Sequence, residues 1–283
     1  MRILYLTRLM CFDGIIKKKP TILIFDSGVG GLSIYDEVRK ILPYAHYLYV
    51  FDNEAFPYGE KPQQFIIDRV VAIIDAIWLL HQIDLIIVAC NTASTISLPA
   101  LRKRFPCEII GVVPAIKPAT SLTRNGIVGL LATHATIHHS YTYNLINQFA
   151  SDCQILQLSM SKLVEIAEAK LQGEMVQQPM LCKLLRPWLK AEQPPDTIIL
   201  GCTHFPLLSQ ELKAVLPAGT HLVNSGSAIA RRAAWLVTNN MDINDLREGM
   251  ENVTYRLANT PQSMMLKPVL MRYGLGTLKN LTL

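Results

Sequence analysis

The 283-residue chain has no CxxC pair among its six cysteines and no stripe of lysine and arginine interleaved with aromatic residues. Nor does it contain the run of about 18 uncharged apolar residues that a membrane-spanning helix needs. Each absence excludes a class of protein. Without short cysteine spacings there is no basis for a disulfide framework or a structural zinc site. Cys11, Cys90, Cys107, Cys153, Cys182 and Cys202 therefore read as reduced thiols of a cytoplasmic protein. Without an apolar span or a basic stripe, neither a membrane nor a nucleic acid is an expected partner. The net charge of +5 is mild, and three of the basic residues form the single run Lys17-Lys18-Lys19. Charge is scarce too: 17% charged against 50% hydrophobic residues excludes a disordered chain and leaves material for a large core. Residues 1–16 are apolar, but Arg8 and Asp13 interrupt them and no small-residue cleavage motif follows. Residues 1–20 are read as an N-terminal extension, not a signal peptide.

What the chain does have is a recurring pattern. Short Ile-, Val- and Leu-rich runs at 21–25, 47–51, 85–89, 108–113, 127–132, 154–158, 197–200 and 221–223 each end in small polar residues. Continuous rather than alternating apolarity marks strands covered on both faces, so mainly parallel sheets with helical crossovers are expected, an α/β architecture. Helical patterns fill the gaps at 64–80, 159–171, 207–215 and 227–237.

One segment recurs. Asp84-Leu-Ile-Ile-Val-Ala-Cys90-Asn-Thr aligns with Asp196-Thr-Ile-Ile-Leu-Gly-Cys202-Thr-His, the cysteine falling six residues after the aspartate each time. This predicts an internal duplication: two related four-stranded lobes, each carrying one cysteine at the carboxyl end of a strand. Ligands of open parallel sheets bind beyond those ends, so both thiols would face a shared cleft. A helix beginning just after each cysteine would lower its pKa. Two facing thiols suit a redox disulfide, a metal site completed by His204 and His134, or proton transfer on opposite faces of one carbon. Only the last explains why related lobes each bring one thiol. The segment Asp26-Ser27-Gly28-Val29-Gly30-Gly31 ends the first strand and lets backbone approach a ligand closely. As a dinucleotide fingerprint it is incomplete, with Ser33 in place of the third glycine, although Asp52 lies at a suitable spacing. The turn Phe56-Pro57-Tyr58-Gly59 could hold a carboxylate on its amides.

Together these motifs, with Ala89-Cys90-Asn91-Thr92-Ala93, Gly111-Val112-Val113-Pro114, Leu200-Gly201-Cys202-Thr203-His204 and Asn224-Ser225-Gly226, resemble the glutamate racemases of the cofactor-independent aspartate/glutamate racemase superfamily. The run from Ala191 into Gly201-Cys202-Thr203-His204 is most similar to the gammaproteobacterial branch. The resemblance implies interconversion of L- and D-glutamate for peptidoglycan and cell wall biogenesis, with no pyridoxal phosphate and no metal. It implies Cys90 and Cys202 as the two bases, assisted by Asp26, His204 and Glu165. It further implies substrate contacts from Asp26, Ser27, Pro57, Tyr58, Gly59, Asn91, Thr92, Thr136, Thr203 and His204. The implied fold has two pseudo-symmetric lobes, residues 21–115 completed by 224–283, and 116–223, with the active site between them. Activation by UDP-N-acetylmuramoyl-L-alanine is implied by the branch, and a homodimer is compatible with it.

Two positions depart from the family pattern. Ala135 stands where glycine is usual, and a positive φ there would strain the loop. Asn224 stands where aspartate is common. His138 and His139 read as a solvated helix start. The rival readings are a racemase of aspartate or another acidic amino acid and a non-catalytic acidic-ligand binding protein. A nucleotide-binding reductase is more distant.

Overall fold

A computed structural model describes residues 19–239 and 251–283; Cys11 and most of the N-terminal extension lie outside them. The described residues form two sheets in which every strand pairing is parallel. In chain order the strands are β1 (Thr21–Asp26), β2 (His46–Phe51), β3 (Leu85–Val88), β4 (Glu108–Gly111), β5 (Ile127–Ala132), β6 (Gln154–Ser159), β7 (Thr197–Gly201), β8 (His221–Val223), β9 (Val253–Arg256) and β10 (Thr277–Asn280). The helices that shape the site are α1 (Leu32–Ile41), α2 (Gln63–Leu80), α3 (Asn91–Arg104), α4 (His134–His138), α5 (Lys162–Leu171), α6 (Ser209–Val215) and α7 (Gly226–Asn239).

The central runs are buried on both sides, as expected, β1, β2, β3, β5 and β7 having no exposed residue, whereas β4, β6 and β8 at the sheet edges are partly exposed. Side chains alternate across β1. Ile22 and Ile24 pack with α1 and α7, and Leu23 and Phe25 pack with α2 and α3.

The strand orders carry the duplication. One sheet runs β10-β9-β2-β1-β3-β4 and the other β6-β5-β7-β8. The order β2-β1-β3-β4 repeats as β6-β5-β7-β8, so β3 and β7, the cysteine strands, are equivalent. In each lobe the chain leaves the first strand to one side and returns on the other. The point between β1 and β3, and that between β5 and β7, is thus a topological switch point where a crevice opens.

The first sheet is larger than the four strands expected of it. Val253-Thr254-Tyr255-Arg256 and Thr277-Leu278-Lys279-Asn280 are four residues each and partly polar, so they do not read as apolar runs, yet they extend the sheet beyond β2. Arg256 is buried because Asn280 and Ser263 accept from its guanidinium at 2.8 and 3.0 Å. Helix α7 returns to the first sheet, packing Ile229, Ala230 and Ala233 beside Leu32, Tyr35 and Val38. Among the described residues no helix is long and apolar enough to cross a membrane.

Beyond β2, a buried charge anchors the Phe56–Gly59 turn. Asp52 is wholly inside the protein and accepts from Tyr58 Oη at 2.7 Å and from Arg69 Nε and Nη2 at 2.8 and 2.9 Å. Ser33 Oγ donates to Thr203 O at 2.7 Å. The two residues on which a dinucleotide reading turned are thus engaged within the chain. Arg69→Met should lower the unfolding free energy by about 3 kcal/mol, because it strands a buried carboxylate; urea denaturation measures it, and a loss below about 1 kcal/mol would show the pair to be dispensable.

Candidate active site

Three of the four strand ends at the switch points carry residues singled out in the sequence. Asp26 closes β1 and Cys90 follows β3; Thr133 follows β5 and Cys202 follows β7.

Asp26 is fully buried, with its carboxylate accepting from Ser27 N at 2.7 Å and Gly31 N at 2.6 Å. Burial pushes its pKa up to about 6, against the opposing pull of His204 and the two amides. Cys90 is the N-cap of α3: its Sγ accepts from Ala93 N at 3.5 Å and lies 3.5 Å from Ser27 Oγ. The expected lowering of its pKa is not what results. Burial, reinforced by the Asp26 charge, pushes the thiol up and outweighs the Ser27 and Ala93 hydrogen bonds, so Cys90 is held protonated. The opening turns of α3 are polar yet buried because Ser94, Thr95 and Ser97 donate to the carbonyls of Val88, Asn91 and Ala93.

Cys202 differs. It precedes not an α-helix but a single 3-10 turn, Phe205–Leu208, before α6, because Pro206 and the tight Thr203-His204 bend delay the helix. No helix dipole acts on it; an imidazole does instead. His204 Nδ1 lies 3.8 Å from Cys202 Sγ, and its Nε2 donates to Glu168 Oε1 at 2.8 Å. Desolvation disfavours the imidazolium, but the hydrogen bonds to Cys202 and Glu168 prevail and hold His204 well above its ordinary pKa. The ring packs so closely on the first lobe that a Cβ on Gly30 would fall 2.4 Å from Nδ1. Gly30 therefore has no sterically acceptable replacement without moving His204.

The acid in contact with His204 is Glu168, not the Glu165 singled out in the sequence. Glu165, one turn earlier on α5, points outward and pairs with Lys162 at 2.5 Å. Glu168 accepts both from His204 and, at 3.1 Å, from Val29 N of the first lobe. The helical offset of three residues keeps both acids near one face; only the register against Val29 and His204 selects the second.

The remaining predicted residues sort by geometry. Thr92 Oγ1 lies 3.0 Å from Thr133 Oγ1 and 3.3 Å from Thr136 Oγ1, a buried hydroxyl cluster joining α3 to the start of α4. Thr133, its third member, was not singled out. Asn91 Nδ2 is buried with no hydrogen-bond partner, an orphaned donor that fits an incoming carboxylate. Thr203 is buried between the lobes. Tyr58 does not offer its side chain to a ligand, since its hydroxyl is committed to Asp52; Gly59 lies against Thr133, whose Cβ is 3.0 Å from a Cβ placed on it. Pro57, cis to Phe56, is exposed. Ala135 is helical and no non-glycine residue among the described residues has positive φ, so the anticipated strain is absent at Ala135. Asn224 accepts from Gly226 N at 2.9 Å, outside the thiol centre. His139 caps the start of the helix over 140–149, accepting from Tyr141 N, whereas His138 is exposed at the end of α4 rather than at a helix start. Among the described residues no group of three or more His, Cys, Asp or Glu is placed to hold a metal ion.

Comparison with known proteins accords with this arrangement. The family described as Asp/Glu/Hydantoin racemase matches residues 26–233. The glutamate racemase of Sodalis glossinidius (strain morsitans) is 70% identical over 97% of this chain and 95% of its own. That of Pectobacterium carotovorum subsp. carotovorum (strain PC1) is 62% identical over 94% and 92%. The crystal structure of Escherichia coli glutamate racemase in complex with L-glutamate and the activator UDP-MurNAc-ala superposes with a TM-score of 0.90 at 57% identity, covering 93% of this chain and 98% of that one. Two thiols at equivalent strand ends, the matched family span and relatives of this identity lead to one assignment: the chain belongs to the Asp/Glu/Hydantoin racemase family, among its glutamate racemases.

Proposed function

We propose that this chain interconverts L- and D-glutamate without pyridoxal phosphate or metal, Cys90 and Cys202 working on opposite faces of the α-carbon. The observation that carries the reading is the pair of equivalent strand ends, each presenting a thiol with its own acid–base partner around the orphaned Asn91 amide. The α-proton of an amino acid is a very weak acid, so a base must be aligned with it and the developing carbanion must meet fixed donors. Cys202, deprotonated, takes the α-proton of L-glutamate. Cys90, protonated, delivers its own to the other face and yields D-glutamate. The reverse reaction exchanges the roles. Asp26 sets the field at Cys90, and Glu168 through His204 orients the partner of Cys202.

The lobes implied by this reading are residues 21–115 with 224–283, and 116–223; sheet membership and the return of α7 support it. We place the activity in the cytoplasm, supplying D-glutamate for peptidoglycan. For activation by UDP-N-acetylmuramoyl-L-alanine, the fitting place is a cavity of about 790 Å³ between the C-terminal end of α3 and α7, where Arg102 and Arg232 supply guanidinium groups for a diphosphate. Since α3 begins at Cys90, a ligand there bears on the helix that caps the thiol.

The direct test follows L-glutamate in heavy water by loss of the α-proton signal and appearance of the D-enantiomer. Inversion is expected, abolished in Cys90→Ala and Cys202→Ala. Exchange of aspartate in preference to glutamate, or binding without exchange, would reject the assignment.

The pH profile of kcat/KM should fall on the acid side with an apparent pKa near 6, as the Asp26 carboxylate takes up a proton. Asp26→Asn should lose that limb along with most of the activity; retention of an unchanged limb would assign it elsewhere.

Saturating precursor should raise the rate, and Arg232→Ala should raise the half-activating concentration about tenfold, one charge-assisted contact's worth. An unaltered response in that variant would move the activator away from this cavity.

A further inference from the structure

A buried hydroxyl that makes no hydrogen bond costs stability that a phenylalanine in its place would not, so its presence points to a task. Among the described residues two buried side-chain polar atoms have no hydrogen-bond partner, Asn91 Nδ2 and Tyr49 Oη. Asn91 follows Cys90 directly. Tyr49 lies on β2, wholly inside the protein, and its hydroxyl reaches the same end of the first sheet. It is 2.9 Å from the point that a Cβ on Gly31 would occupy, where the other neighbours are Asp26 Cβ at 2.9 Å and Ala89 Cβ at 3.1 Å. Gly31 N donates to the Asp26 carboxylate, and Ala89 immediately precedes Cys90. Both orphaned groups therefore lie at one thiol, Tyr49 behind the Asp26–Cys90 pair.

The neighbouring aromatic residues show that this hydroxyl is not needed for packing. Tyr35 stacks edge-on with Tyr47 and Tyr49, at ring-centroid distances of 5.0 and 6.4 Å. Tyr35 Oη donates to Tyr273 O at 3.0 Å and Tyr47 Oη to Leu42 O at 2.7 Å, so each of those hydroxyls ties down a backbone carbonyl. Phe51, on the same face of β2, fills its place with no hydroxyl. The titratable groups that face Tyr49 are Asp26 and Cys90 from the ends of β1 and β3, Tyr35 from α1, Glu168 from α5, and Tyr273.

We propose that Tyr49 is a positioning residue for the Asp26 carboxylate: its O–H, held by no other acceptor, turns toward Asp26 when that group is charged and steadies the charge beside Cys90. The inference rests on the proposed function, in which Asp26 serves Cys90. A hydroxyl already committed to a carbonyl could not follow a charge in this way. The amides of Ser27 and Gly31 fix where the carboxylate sits. Tyr49 adds a dipole behind it, in a part of the protein closed to water where a dipole acts strongly. It thereby opposes the burial that pushes the Asp26 carboxyl up to about 6.

Tyr49→Phe removes the hydroxyl and keeps the ring. The acid limb of kcat/KM for L-glutamate should move to higher pH by about half a unit, because the Asp26 anion loses a dipole that favoured it and binds its proton about threefold more tightly. The urea midpoint should stay level or rise, since no hydrogen bond is lost. An unmoved limb, or an equal fall at every pH, would leave Tyr49 as packing alone. A lowered midpoint would mean that the hydroxyl is bonded to the fold. Each of these results overturns the proposal. In an Asp26→Asn background there is no charge to follow, so adding Tyr49→Phe should change the residual rate by less than about 1.5-fold; independent, multiplicative losses would break the coupling. Titration of the Asp26 carboxyl by carbon-13 NMR should show the same upward shift in Tyr49→Phe without any turnover. Failure of the unaltered protein to exchange the α-proton would therefore sink the proposed function, while the NMR shift, present or absent, would still decide whether Tyr49 acts on Asp26.

Discussion

One carboxylate holds the catalytic centre together. Glu168 of the second lobe accepts from the Val29 amide of the first and from the His204 ring that serves Cys202. The lobe contact and the ring orientation are therefore the same interaction, and neither can be lost alone. Around it the surfaces are cut to fit. Gly30 leaves no volume beside His204, and Gly59 leaves little beside Thr133. Ser33 ties α1 to the Thr203 carbonyl, and the Thr92, Thr133 and Thr136 hydroxyls close the far side. Small residues and short polar side chains let two sheets meet at their carboxyl ends without trapping unpaired backbone.

Burial then divides the labour between thiols that the duplication made equivalent. Cys90 inherits a true helix N-terminus, but desolvation and the Asp26 charge overcome it and keep the proton on sulfur. Cys202 has no helix, only an imidazole whose other nitrogen is held by Glu168. Fold symmetry therefore supplies the opposed positions, and local chemistry gives the two thiols different surroundings.

How much of this the sequence revealed follows from what kind of signal each feature leaves. The parallel architecture was legible because doubly covered strands must be continuously apolar, and the paired cysteines because a duplicated strand repeats its spacing. Strands β9 and β10 were not, since Val253–Arg256 and Thr277–Asn280 are short and mixed, and join an existing sheet without needing a hydrophobic run of their own. Glu165 and Glu168 are indistinguishable by pattern; the contact with Val29, 139 residues away, decides between them. Ala135 drew suspicion because glycine is usual there in the family it resembles, whereas the helix it sits in requires none. Tyr58 belongs to a motif that approaches the site, yet its hydroxyl is spent on Asp52, a partner that no local spacing announces.

The asymmetry of the site has a bounded effect on the reaction. L- and D-glutamate have equal free energies in water, so their interconversion has an equilibrium constant of unity. The ratio of kcat/KM in the two directions must equal that constant, however different Cys90 and Cys202 are. The unequal surroundings of the two thiols cannot favour either enantiomer at low concentration. What they can change is the ratio of the two resting forms, one with the proton on Cys90 and one with it on Cys202. Burial favours the neutral thiol at Cys90. The difference between directions then appears only as matched changes in kcat and KM.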